Sequence, residues 1–172
     1  LNRVRTARKL RETLRALQDK HPHEALLLTG RSRPLERDIL LEKQRIRLMA
    51  GRERKSSEHL SPLIIIATQC IEVGADIDAD AMITEACPLD ALRQRLGRLD
   101  RLGENNSENA TCIVILPAEQ GGDKPKPDII YGESLRNTWL WLKKQANNDI
   151  IDCGTDALDA IISEEKPEEI AK

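Results

Sequence analysis

The chain has 172 residues, enough for one domain with a real core and too few for two comfortable ones. Apolar residues make up 40% and charged residues 33%, and no run nears the roughly 18 apolar residues of a membrane span. The basic N-terminus carries no secretory-leader pattern, so the composition argues against a membrane protein and for a cytoplasmic one.

Val4, Ala7, Leu10, Leu14 and Leu17 recur at a helical period, which predicts an amphipathic helix over 3–20. "ALLLT", 25–29, is a short apolar run expected to form a buried strand. Pro34 is well placed to open a helix, which should run to about Ala50 and end at Gly51. "GRERKSSEHLSP" reads as a polar loop. "LIIIAT", 63–68, is β-branched and wholly apolar, the pattern of a strand covered on both faces. "AMITEA", 81–86, predicts another strand, 89–101 a short helix, and "TCIVILP", 111–117, a further buried strand. After a Gly/Pro-rich connection, helices are expected over 133–146 and near 155–162, with a charged tail. Strands that alternate with helices and lack a polar face predict an α/β fold, a parallel sheet flanked by helices on both faces. "LN" leaves no room for a strand before the first helix, which reads as a fragment of a longer polypeptide.

Charge is unevenly distributed. Residues 1–55 carry 16 Lys and Arg against 7 Asp and Glu, a basic half suited to a polyanion. Two Trp, one Tyr and no Phe leave little for base stacking, so any grip on nucleic acid would rest on phosphates. Cys70, Cys87, Cys112 and Cys153 form no CxxC pair and lie far from His21, His23 and His59. They read as reduced thiols, and no metal site is expected.

Two stretches carry chemistry. "QRLGRLDRLG", 94–103, places Arg95, Arg98 and Arg101 within an arc of about 120° if it is helical. Leu92, Leu96 and Leu99 would line a separate stripe, freeing the arginines to face outward. Gly97 would cost about 1 kcal/mol in a helix interior, tolerable where something approaches the backbone closely. The second stretch, "ATQCIEVGADIDAD", 67–80, leaves a strand and sets Asp76, Asp78 and Asp80 at alternate positions. A calcium loop fails, because its glycine position holds Ala81 and its bidentate glutamate position holds Cys87. A polar loop at the carboxyl end of a parallel strand is instead where open α/β sheets hold ligands.

Read together, "ATQCIEVGADID" and "QRLGRLDR" resemble motifs V and VI of superfamily 2 helicases in order and spacing. The likeness is greatest to the CRISPR-associated helicase–nucleases of type I systems, where "LRQRLGRLDRLGE" and "IYGESLRNTWLWL" also have near matches. The resemblance covers about residues 1–150 and implies a second RecA-like helicase domain, with 151–172 as a C-terminal extension. It implies that Arg98 and Arg101 are arginine fingers toward the γ-phosphate of ATP, and that Gln94 contacts the phosphate or its attacking water. Gly74, Asp76 and Arg95 fall at nucleotide-contacting positions. Thr68 matches a nucleic-acid contact. "LLLTGRSRPLER" resembles motif IV and its extension, which makes Thr29, Arg31 and Arg37 candidate phosphate contacts. Asn2 falls where a strand-ending asparagine is frequent.

The implied cofactors are ATP and Mg2+, held mainly by a first RecA-like domain of the same polypeptide. The implied partners are single-stranded DNA, or RNA, and a CRISPR guide-RNA surveillance complex. The sequence has no G-x-x-x-x-G-K-[ST] phosphate cradle, no acidic metal box after a strand and no HD pair. This chain alone is therefore expected neither to hydrolyse ATP nor to cut DNA. The alternatives are another superfamily 2 DNA or RNA helicase, a repair translocase, or a docking module without catalysis.

Overall fold

The computed structural model describes residues 1–30, 32–52, 61–71, 76–104, 110–122 and 127–164. The fold is α/β, with parallel strand pairing and flanking helices, as expected. The chain divides into two compact units: Leu1–Thr84 with Gly97–Ile113, and Glu85–Leu96 with Val114–Lys172.

The first unit opens with helix α1 (Val4–Leu17), whose period buries Ala7 completely and leaves Arg5, Arg8, Arg11 and Arg15 exposed. The helix packs on strands β1 (Glu24–Leu28) and β2 (Leu63–Ala67). These pair in parallel, in register from Glu24 opposite Leu63 to Leu28 opposite Ala67. Leu28, Ala67 and Ile77 form the buried centre, joined by Leu41, Ile65, Cys70 and Ile71. Full burial of Leu28 is worth about 1.5–3 kcal/mol.

The expected single helix from Pro34 to about Ala50 is corrected. It breaks at Gln44 (φ −108°, ψ 10°) into α2 (Pro34–Lys43) and α3 (Arg45–Leu48). Glu24 at the head of β1 holds the break and the turn after it, accepting from Gln44 Nε2 at 3.2 Å and from Arg47 Nη1 at 2.8 Å. Leu48 is thereby buried, and Gly51 turns the chain back with φ +76°, a conformation open to glycine without Cβ strain.

Strands β3 (Ala81–Glu85) and β4 (Thr111–Ile115) form a second two-stranded sheet. The expectation that 111–117 is buried is also corrected: Thr111, Ile113 and Ile115 are exposed, alternating with half-buried Cys112 and Val114. Alternate strand side chains point to opposite faces, and this face lies open among the described residues. Ile83 on β3 is exposed as well.

The second unit contains α4 (Leu89–Leu96), α5 (Ser134–Gln145) and α6 (Thr155–Glu164). Its core gathers Cys87, Ala91, Leu92 and Leu142, with Leu96, Val114, Tyr131, Trp141 and Ile151 against them. Trp141 thus serves the core. Trp139, two residues earlier, lies under the Lys143 ammonium at 5.9 Å. Arg93 ties α4 to α6 through Asp159 at 2.7 Å.

Candidate functional site

The parallel pair delivers two hydroxyl residues to one end of the sheet. Thr29 follows β1 and Thr68 follows β2, and both are buried. The ladder continues past the strands, since the Thr68 N–H donates to Leu28 O at 3.1 Å. Both residues therefore stand at the carboxyl ends of adjacent parallel strands, where open α/β sheets bind ligands.

From there the chain returns through Ile77, which is buried beside Leu28 and Ala67. Ile77 in the core fixes what flanks it. Asp76 is exposed, whereas Asp78 is almost completely buried. The Asp78 N–H donates to Leu48 O at 2.7 Å, and its carbonyl accepts from Arg52 Nη1 at 2.8 Å. The same Arg52 nitrogen lies 2.9 Å from Asp78 Oδ2, while Arg52 Nη2 reaches Asp80. A buried carboxylate needs such a partner, because desolvation of an uncompensated charge costs several kcal/mol.

The other oxygen of Asp78 faces motif VI, accepting the main-chain N–H of Arg101 at 2.9 Å. Next to it, the Ala79 N–H donates to Arg98 O at 2.7 Å and the Asp100 N–H donates to Ala79 O at 2.9 Å. These bonds make a parallel bridge between Ala79 and Leu99. Asp100 turns the chain in the left-handed region (φ +41°), which aspartate tolerates better than most residues. The two motifs, separate in sequence, are joined main chain to main chain.

This geometry corrects the expectation of one helix over 89–101. Helix α4 stops at Leu96, and Gly97 begins a turn. Arg95, Arg98 and Arg101 consequently do not share an outward helical face. Arg95 points inward and is only 4% exposed. Its Nη1 donates to Glu85 O at 3.2 Å. Arg98 is half-buried and Arg101 exposed, both in the non-helical segment. The reason is tertiary: the polar backbone after Leu96 finds its partners on Asp78 and Ala79 instead of in a further helical turn.

The Arg101 side chain reaches Asp76, with Nη1 to Oδ1 at 2.8 Å. This brings two of the predicted residues into direct contact and shows the guanidinium already holding an anionic oxygen. Gln94 is exposed on α4. Arg37 on α2 holds Asp38 through Nε and Nη2, each at 3.2 Å. Asn2 is buried. Arg31 and Gly74 lie outside the described residues. Sequence reasoning missed Asp78, treated only within the rejected calcium loop, and Arg52. The alternating aspartates of "DIDAD" were a usable signal for Asp78, since a carboxylate packed after buried Ile77 must find a cation. Nothing in the polar stretch around Arg52 marked its partner.

Among the described residues no group of three His, Cys, Asp or Glu could hold a metal ion, and no helix is long and apolar enough to cross a membrane. The four cysteines form no disulfide. Burial pushes the Cys153 thiol above the ordinary thiol range, and Asp152 beside it adds to the rise.

Parallel strands with flanking helices, motif V at a strand's carboxyl end and motif VI pinned against it define the second RecA-like domain of a superfamily 2 helicase. The profile of the family described as CRISPR-associated nuclease/helicase Cas3, C-terminal, matches residues 1–104, and the chain belongs to that family. It is 37% identical over 142 residues to a CRISPR-associated nuclease/helicase Cas3 of Streptococcus thermophilus, an alignment covering 77% of this chain and 14% of that protein. The fold is similar to the crystal structure of T. fusca Cas3-ADP (TM-score 0.72, 18% identity), covering 99% of this chain and 20% of that one. It is likewise similar to a chain of a CRISPR RNA-guided surveillance complex, pre-nicking (TM-score 0.70, 22% identity), covering 97% of this chain and 21% of that one. The chain thus spans a small part of the length of the proteins it matches.

Proposed function

We propose that this chain is the second motor domain of an ATP-dependent helicase that acts on single-stranded DNA in type I CRISPR interference. Residues of about 1–150 form the motor domain and 151–172 an extension. The reading is supported by family membership and by relatives named nuclease/helicase. The names of the related T. fusca structures include ADP, ATP and AMPPNP, which supports the nucleotide. The surveillance-complex structure supports a guide-RNA complex as partner.

One observation carries the role of the arginines. The segment holding Arg98 and Arg101 is braced against motif V, and the Arg101 guanidinium binds a carboxylate oxygen at 2.8 Å. A group that holds one oxyanion in this way fits phosphate oxygens, because the planar fork stays charged and donates in parallel. ATP, bound mainly by the first RecA-like domain together with Mg2+, supplies the phosphoryl group. Arg98 and Arg101 orient and neutralise its γ-phosphate oxygens, Gln94 holds the attacking water or the phosphate, and Gly74 and Asp76 meet the nucleotide from motif V. Arg95 braces α4 from within. Thr29, Thr68, Arg31 and Arg37 contact the phosphates of the DNA strand.

The test is ATP hydrolysis by the full-length polypeptide with single-stranded DNA or RNA added. DNA stimulation abolished by an Arg98→Ala/Arg101→Ala double substitution is the expected result. Stimulation by RNA alone would point to a different superfamily 2 motor. Filter binding of the polypeptide to single-stranded DNA should weaken with salt, as phosphate contacts require.

A further inference from the structure

We infer that Asp78, clamped by Arg52, is the positioning residue of the arginine fingers. The inference rests on the finger reading and adds the residues that make it geometrically possible. A finger needs its guanidinium held in place before the phosphate arrives, because a misplacement of about 1 Å can cost a hundredfold in rate. Helix α4 cannot supply that placement, since it ends at Leu96 before either finger begins. The placement comes from Asp78 and Ala79 instead. Asp78 Oδ1 takes the Arg101 N–H, and the Ala79 peptide takes Asp100 and gives to Arg98. Both finger residues are thus fixed by their main chain, and the Arg101 guanidinium is directed to an anionic oxygen of Asp76.

Asp78 can act as an anchor because it is buried and held at several atoms. Its side chain is 0% exposed and that of Arg52 7%. Four of its atoms are engaged: N–H to Leu48, carbonyl and Oδ2 to Arg52, and Oδ1 to Arg101. Arg52 compensates the buried charge and sets the carboxylate plane, so that the remaining oxygen aims at motif VI. Arg52 and Asp78 touch no nucleotide in this scheme and act through Arg98 and Arg101.

The experiment is a double-mutant cycle in the full-length polypeptide, reading DNA-stimulated kcat and KM for ATP with folding checked by circular dichroism. Asp78→Asn should lower kcat at least tenfold and change KM less than threefold. In an Arg101→Ala background the same change should cost at least threefold less than in wild type, because only the Arg98 guanidinium is left to position. Arg52→Lys, which keeps the charge, should retain more activity than Arg52→Gln. It also serves as the second probe should Asp78→Asn fail to fold. An equal loss from Asp78→Asn in both backgrounds, or Arg52→Gln matching wild type, overturns the positioning role while leaving the fingers intact. An Arg101→Ala enzyme with near-normal kcat overturns the finger reading and this inference with it.

Discussion

Asp78 and Arg101 meet through a carboxylate oxygen and a main-chain N–H at 2.9 Å, so the arginine is placed by its backbone while its side chain turns elsewhere. That division of labour separates the energetic consequences of changing each residue.

Replacing Arg98 or Arg101 by alanine should lower DNA-stimulated ATP hydrolysis about a thousandfold or more, the range of an arginine finger, and Arg101→Ala, at an exposed side chain, should leave stability nearly unchanged. Single-turnover hydrolysis by the full-length polypeptide measures it, and a loss under tenfold would count against the finger assignment.

Removing Arg52 as Arg52→Met strands the buried Asp78 carboxylate, and should destabilise by about 3–5 kcal/mol. Pairing it with Asp78→Leu removes both charges and should recover much of that loss. Urea denaturation of the single and double variants decides between a buried pair of this kind and an incidental contact.

The Asp76–Arg101 pair is different, with both side chains largely open to water. Asp76→Ala should shift unfolding by less than about 1 kcal/mol, an effect that shrinks further in salt. Melting curves at low and high ionic strength give the comparison.

Arg95→Met should cost about 1–3 kcal/mol by leaving the Glu85 carbonyl one donor short, and should leave affinity for ATP unaltered. A fluorescent nucleotide titration alongside thermal melting separates the two; weaker nucleotide binding with unchanged stability would return Arg95 to the nucleotide.

Cys153 has its thiol raised by burial and by Asp152. The neutral form is favoured in the folded chain, so its contribution is present below the unfolded thiol pKa and is lost as pH rises through the folded one. Its alkylation should reach half-maximal rate at higher pH than that of a free thiol, and Cys153→Ser should flatten the alkaline decline in stability.

The sequence was most informative where local pattern and tertiary demand agreed. The apolar run 63–68 marks β2 because a strand paired in parallel with β1 and packed under α1 has little polar face to show. The spacing between "GADID" and "QRLGR" was legible because it reflects a structural bond between two motifs. Boundaries set by distant partners were not. Nothing local to Leu96 announces that Arg98 O will be taken by Ala79, and nothing near Gln44 announces the pull of Glu24. Burial of 111–117 was misjudged for a related reason: an apolar strand says that it needs a cover but not which elements provide one.

That open surface has a practical outcome. Ile83 and Ile113, 67% and 52% exposed, sit on a sheet of only two strands among the described residues. Water contact with β-branched residues beside unpaired strand edges invites sticking between copies. Purified by itself, the polypeptide should precipitate as concentration rises, and polar replacements at Ile83 and Ile113 should keep it dissolved.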